Sequence, residues 1–133
     1  MNKILSSLTL TIAMIVLTTL GCDKPPEPEP PEQDLIISTD ASSYTIIPDP
    51  VFSFKLKVES VMPIGGVRIE YTVASEIDNQ NYPQGSAINT YNPTSNITIG
   101  GLPRQKICIC TIKVTSLSKS TNTATIGFRV GYK

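Results

Sequence analysis

The segment CICTIKVT, residues 108–115, gives the clearest indication of the fold class of this chain, because its apolar side chains recur at every second position. One side of the stretch holds Cys108, Cys110, Ile112 and Val114, and the other holds Ile109, Thr111, Lys113 and Thr115. A period of two is typical of a β-strand with one face buried and the other in water. We therefore predict a strand here, with both thiols facing the core.

The same alternation recurs in the segments 52–59, 67–74 and 125–133. Turn-forming residues separate the segments, and no convincing amphipathic helix follows Leu35. Strands with one solvent-exposed face are typical of antiparallel sheets, because parallel sheets are usually covered on both faces. With shorter segments at 35–38, 44–47 and 96–99, the sequence predicts about seven strands. We expect an all-β fold, a single antiparallel β-sandwich spanning residues 35–133.

The segment from Asn96 to Lys133 resembles the last three strands of a fibronectin type III or related immunoglobulin-like domain. That family ends its fifth strand with Leu and Pro, followed by a Tyr that opens the next strand. Here Leu102 is in place, Pro103 comes one residue early, and Cys108 stands where the Tyr would be. The resemblance implies an immunoglobulin-like sandwich and no particular ligand.

The segment before the sandwich is rich in proline and glutamate. Five prolines alternate with glutamates between Asp23 and Asp34, and five acids against one base give this segment a net charge of −4. Proline removes backbone donors, so the segment favours extended polyproline II. Twelve such residues reach roughly 35–40 Å. We interpret it as a spacer, although a docking site for a proline-binding module is an alternative.

The N-terminus has the layout of an export signal. Lys3 provides one positive charge, residues 4–20 are uncharged and mostly apolar, and Gly21 precedes Cys22. This layout resembles a bacterial lipoprotein precursor, which implies a signal peptide at 1–21, lipid attachment, including palmitate, at Cys22, and a lipidated tether at 22–34. An ordinary cleaved secretory signal and an uncleaved membrane span are the alternatives. We expect a cell-envelope protein of the outer membrane, bound to the membrane through its lipid anchor.

The charge of the chain is unevenly distributed. From Leu35 onward six acids and nine bases give +3, and no Asp or Glu follows Asp78. This half could favour anionic partners such as phosphorylated envelope glycans. The alternative is that the basic residues keep exposed strands soluble. We expect no nucleic-acid partner, because no basic cluster is dense enough.

Residues for catalysis are scarce. The chain has no His, which excludes the Ser-His-Asp and Cys-His arrangements. It also lacks the imidazole ligands of common zinc sites and has no glycine-rich phosphate loop. Glu59 and Glu70 could face outward on neighbouring strands as a glycosidase pair, but exposed strand carboxylates usually only solubilise. We predict no enzyme, no catalytic residue, no metal and no cofactor.

Cys108 and Cys110 lie two residues apart on one strand, with Cα atoms about 6.5–7 Å apart. That separation is near the upper limit for a disulfide. We interpret them as buried core thiols. A strained redox or soft-metal Cys-x-Cys site is the alternative.

The long connection from Glu76 to Ser95 is the predicted ligand-binding loop. Its candidate residues supply stacking rings and hydrogen-bonding oxygens and amides: Asp78, Asn79, Asn81, Tyr82 and Tyr91. One carboxylate is too few for a calcium site. The alternative is a polar crossover whose tyrosines cover the edge of the core.

Two functional hypotheses follow from these observations. In the first, the sandwich is a non-enzymatic interaction module that binds a glycan or an envelope protein. In the second, it is a structural subunit that joins a surface assembly by strand addition.

Overall fold

The computed structural model describes residues 25–133, which include two packed β-sheets and no α-helix. The predicted signal peptide and the lipidated Cys22 lie outside the described residues. Residues Pro31–Lys133 form one compact unit. Within the described part, no helix is long and apolar enough to cross a bilayer.

Nine strands make up the two sheets. They are β1 (Ile37–Thr39), β2 (Tyr44–Ile47), β3 (Phe52–Val58), β4 (Val67–Ser75), β5 (Asn81–Tyr82), β6 (Ile88–Thr90), β7 (Thr94–Ile99), β8 (Ile107–Ser116) and β9 (Thr123–Tyr132). The small sheet has the order β1-β3-β7, and the large sheet has the order β2-β9-β8-β4-β5, with β6 also paired to β4. This all-β architecture of two packed sheets is compatible with the predicted sandwich.

The burial of the strands follows the predicted alternation. In β8 every second residue from Cys108 to Ser116 is buried, and β3 shows the same pattern from Phe54 to Val58. Phe54 of the small sheet packs edge-on against Phe128 of the large sheet, with ring centroids 4.9 Å apart. Such contacts join the two layers, and each large buried side chain stabilises the fold by about 1.5–3 kcal/mol.

The strand count differs from the prediction of about seven. The additional strands are β5 and β6, which lie in the segment predicted to be a loop and pair with the edge of β4 that β8 leaves free. Backbone groups along that edge need hydrogen-bond partners. The residues of β5 and β6 lie in a largely polar segment that shows no alternation of apolar side chains, so the sequence pattern did not reveal them.

One strand pair contradicts the prediction of a wholly antiparallel sandwich. β2 pairs with β9 in parallel, whereas every other pair of these nine strands is antiparallel. The chain leaves the small sheet after Thr39 and joins the large sheet at Tyr44. The next strand along the chain, β3, belongs to the small sheet, so β2 meets β9 without any hairpin that would impose antiparallel pairing.

The two ends of the sandwich differ, and we name them by what lies there. The tether pole comprises residues 32–35 and the turn 116–122, where the chain enters the folded unit. The groove pole comprises residues 76–80, 100–107 and 132–133. β9 runs from one pole to the other over ten residues, which corresponds to about 30 Å.

Contacts at the tether pole begin within the predicted tether. The side-chain amide of Asn122 donates to Glu32 Oε1 at 2.6 Å and to the Gln33 carbonyl at 2.9 Å. Its carbonyl oxygen accepts the backbone N–H of Leu35 at 2.9 Å. Residues 25–31 are exposed and have no regular secondary structure. The last part of the acidic segment is therefore held against the sandwich.

Candidate functional site

The predicted ligand loop begins with a tight turn at the groove pole. The Asn79 N–H donates to the Ser75 carbonyl at 3.0 Å, and the Ser75 N–H donates to the Gln80 carbonyl at 2.9 Å. Asn79 has a φ of 55°, a left-handed conformation that Asn tolerates better than most residues. The carboxylate of Asp78 accepts the Gln80 N–H at 3.2 Å. Asp78 and Asn79 thus shape the turn itself.

Asp78 is also tied to the next loop. Its Oδ2 accepts a hydrogen bond from Lys106 Nζ at 2.9 Å. The pKa of Asp78 is held below its usual range, first by the nearby Ser75 hydroxyl, then by Lys106 and the Gln80 N–H. The buried Ser75 Oγ makes no hydrogen bond of good geometry, so the direct hydrogen bonds to the Asp78 carboxylate come from Lys106 and the Gln80 N–H. The Asp78 carboxylate raises the pKa of Lys106 in return.

The two tyrosines of the predicted loop do not share a site. Tyr82 lies in β5 opposite Val73, is half-buried against the core, and donates a long 3.4 Å hydrogen bond to Gln80. Tyr91 is 69% exposed and follows Thr90, which pairs with Val67 at the other end of β4. These two positions along β4 are about 20 Å apart. The structure brings Asp78, Asn79, Asn81 and Tyr82 together and leaves Tyr91 apart.

Gln84 is a residue of this segment that the sequence did not single out. Its side-chain nitrogen donates to the carbonyls of Tyr82 and Gly100, both at 3.0 Å, and its Oε1 accepts the Gly100 N–H at 3.0 Å. Gly100 directly follows β7 of the small sheet, whereas Tyr82 belongs to the large sheet. Gln84 therefore joins the two sheets at the groove pole.

Both sandwich cysteines are buried and free. Burial raises the pKa of Cys108, and it raises the pKa of Cys110 to about 12. Thiols protected from ionisation are poor nucleophiles and poor metal ligands. Among residues 25–133, no group of three or more Cys, Asp or Glu side chains is placed to hold a metal ion.

The suggested carboxylate pair is not assembled. Glu59 follows β3 of the small sheet, accepts a hydrogen bond from Ser38 and forms an ion pair with Lys57. Glu70 lies in β4 of the large sheet beside Arg68. The expectation that these two glutamates lie on neighbouring strands was wrong, because β3 and β4 belong to different sheets.

A surface groove at the groove pole is the clearest candidate site. Its volume is about 560 Å³, and its lining is Tyr44, Ile46, Arg104, Gln105, Lys106, Ile107, Gly131, Tyr132 and Lys133. Three of these residues are basic and none is acidic. The basic character of the second half of the chain was evident from the sequence, but the clustering of Arg104, Lys106 and Lys133 was not. The elements that line the groove, which are β2, the 104–107 segment and the C-terminal end of β9, are not contiguous in sequence.

The backbone around Arg104 is held in place by Tyr132. Arg104 forms a parallel bridge with Tyr132, and its guanidinium lies 5.8 Å from the centre of the Tyr132 ring. The Gln105 N–H donates to the Tyr132 carbonyl at 2.7 Å. Gln105 has a φ of 59°, which is unfavourable for a residue with a Cβ. These contacts hold the segment in a conformation that it would not prefer alone.

Comparisons with protein-family models, with curated proteins and with solved structures found no match to this chain.

Proposed function

We propose that this chain is a lipid-anchored, non-enzymatic protein of the cell envelope whose sandwich serves as an interaction module. In this proposal Cys22 is the lipidated first residue of the mature protein, inserted in the outer membrane. The module binds a glycan or an envelope protein. The layout of residues 1–22 supports the anchor.

We further assign the sandwich to the immunoglobulin or fibronectin type III class. Support comes from the strand orders β1-β3-β7 and β9-β8-β4-β5. Immunoglobulin-like domains place the first, second and fifth strands of their scheme in one sheet, and the third, sixth and seventh in the other. In variable-type domains, further strands extend the second sheet beside the third strand. In this scheme β5 and β6 are such additions to the edge of β4.

The observation that supports an interaction module most directly is that the groove and the attachment of the tether lie at opposite ends of the sandwich. The chain enters the folded unit beside Asn122, while the basic groove lies at the other end of β9. The eight residues from Asp23 to Pro30 would add up to about 25 Å of extended reach. A body anchored by such a segment can present its groove pole to partners beyond the bilayer.

The alternative, a subunit that joins an assembly by strand addition, is favoured by a different surface. β2 is an edge strand, and its side chains Tyr44 and Ile46 are 45% and 44% exposed. An exposed apolar edge strand is a template for pairing with another chain. In this case an Ile46→Lys variant should abolish self-association. An interaction module should instead sediment as a monomer with or without this change.

Mass spectrometry of the mature chain tests the anchor. The wild-type N-terminus should be a Cys22 bearing a diacylglyceryl group, and the protein should partition into detergent. A Cys22→Ser chain produced without residues 1–21 should move to the aqueous phase, because burial of acyl chains is worth about 0.8 kcal/mol per CH₂. Cys108→Ala is the matched cysteine control and should retain the lipid. An unmodified first residue in the wild type would refute the anchor.

A further inference from the structure

We propose that the groove between β2, β9 and residues 104–107 binds the carboxylate or phosphate groups of an anionic saccharide. This inference rests on the proposed interaction module and assigns its binding site and ligand class. It also moves the predicted site away from the Glu76–Ser95 connection.

The charges of the groove are the first argument. Arg104 and Lys133 have no carboxylate within ion-pair distance in the described part of the chain, whereas the nearby Arg129 is paired with Glu76 and Lys106 with Asp78. Two cations without partners on one small surface favour a negatively charged ligand. The planar guanidinium of Arg104 can bind a carboxylate or phosphate through two parallel hydrogen bonds.

The missing side chain of Gly131 is the second argument. A Cβ at this position would lie 3.5 Å from the Tyr44 hydroxyl and 3.8 Å from Ile46 Cδ1, so a larger side chain would occupy the groove. Glycine in the interior of a strand weakens it and often marks a close approach of a ligand or another backbone. The whole groove, of which Gly131 is one lining residue, encloses about 560 Å³, which lies within the range of small-ligand sites.

The aromatic and apolar lining favours a sugar over a simple ion. Tyr44 is 45% exposed and presents both a ring and a hydroxyl, which suit a pyranose with its apolar face and polar rim. The contacts of Arg104 and Gln105 with Tyr132 fix part of the groove before any ligand arrives. Such preorganisation reduces the entropy cost of binding.

The position of the groove argues against an acidic peptide. A peptide added as a strand would pair with the free backbone edge of β2, in the plane of the sheet. The groove instead lies over Gly131, on the face of the sheet opposite to the one that the core residue Val130 occupies. A ligand in the groove therefore meets the side chains of this face and not the free backbone edge that strand addition requires.

Calorimetric titration of the full mature Cys22→Ser chain tests the proposal. The probes are a uronic-acid tetrasaccharide, a phosphorylated oligosaccharide, a neutral oligosaccharide of equal length and an acidic peptide. At least one anionic saccharide should bind, more weakly at high salt, and the neutral one should not. The better of the two anionic probes identifies the preferred group.

Variants then locate the site. Arg104→Ala and Lys133→Ala should each weaken binding by about tenfold, the loss typical of one charged hydrogen bond. Gly131→Leu should abolish binding, and Gly131→Ala should have a smaller effect. Lys119→Ala, which removes an exposed lysine at the tether pole, is the matched control and should bind normally. Circular dichroism of each variant verifies the fold.

Three outcomes would overturn the inference. If the anionic saccharides bind equally to Arg104→Ala, Lys133→Ala and Gly131→Leu, the site lies elsewhere, although the interaction module stands. If only the acidic peptide binds, the ligand class is wrong and a protein partner replaces it. If none of the probes binds the folded chain, the groove is not a saccharide site. None of these results concerns the lipid on Cys22, which mass spectrometry tests separately.

Discussion

The two poles of the sandwich use polar side chains in opposite ways. At the tether pole Asn122 is only 6% exposed, and its side-chain amide forms hydrogen bonds with Glu32, Gln33 and Leu35. At the groove pole Arg104 and Lys133 project at the surface with no carboxylate partner among residues 25–133. A buried polar group must be satisfied internally, whereas an exposed one remains available to a ligand.

Because of this difference, we expect the polar residues of the tether pole to stabilise the fold and the exposed cations of the groove pole to bind a ligand. The tether pole closes the β8–β9 turn with further hydrogen bonds, in which Ser116 Oγ accepts the N–H groups of Ser118 and Lys119. At the groove pole, Gln84 joins the two sheets through its hydrogen bonds to Tyr82 and Gly100. Substitutions at buried polar groups should therefore lower the free energy of unfolding, and substitutions of exposed cations should mainly change the affinity for a ligand.

The largest effect should come from Asn122→Ala. The change removes three hydrogen bonds and leaves the buried Leu35 N–H without a partner, which should lower the free energy of unfolding by about 2–3 kcal/mol. Urea denaturation measures this. Asn96→Ala, on the exposed face of β7, is the control and should remain within about 0.5 kcal/mol of wild type. Equal losses of unfolding free energy in the two variants would show that the hydrogen bonds of Asn122 do not stabilise the fold more than an exposed side chain does.

A smaller effect is expected for Gln84→Ala at the groove pole. Loss of its hydrogen bonds to Tyr82 and Gly100 should cost about 1–2 kcal/mol, because this side chain is only partly buried. Gln80→Ala, which removes one weak 3.4 Å contact, should cost less than about 0.5 kcal/mol. Amide hydrogen exchange at Gly100 should rise in Gln84→Ala alone. Unchanged exchange there would show that Gln84 does not join the sheets.

A still smaller effect, on the pH dependence of folding stability, is expected from the titration of Asp78. Its pKa in the folded state is depressed, so its contribution to stability is present above the unfolded value of about 3.9 and is lost as pH falls through the folded value. NMR titration of the Asp78 carboxyl carbon should show the low pKa, and Lys106→Ala should raise it. Lys113→Ala is the control and should leave that titration unchanged. An ordinary pKa in wild type would contradict the turn geometry.

The smallest effect on stability should come from Arg104→Ala combined with Lys133→Ala. Neither side chain has an ion-pair partner in the described part, and the exposed contact of the Arg104 guanidinium with the Tyr132 ring is worth about 0.5–1 kcal/mol. The unfolding free energy should therefore stay within about 1 kcal/mol of wild type. Thermal and urea unfolding check this. A loss above about 2 kcal/mol would mean that both poles are structural, and the comparison would fail.

Much of the fold was predictable, because alternation records which face of each strand is buried. The strands β3, β4, β8 and β9 were all expected from the period of two, and their inward residues supply most of the core. β5 and β6 were missed because they lie in a largely polar segment without alternating apolar side chains. The candidate ligand loop was only partly assembled, since Tyr91 lies at the far end of β4 from Tyr82.

The all-β class, the buried face of each long strand and the inward position of Cys108 and Cys110 could be read from the order of residues alone. These properties depend on a local period of two, which neighbouring residues set. The parallel pairing of β2 with β9, and the groove lined by Tyr44, Arg104, Gly131 and Lys133, depend on the three-dimensional fold. The pairing of distant strands and their register set such neighbours, and no local pattern records them.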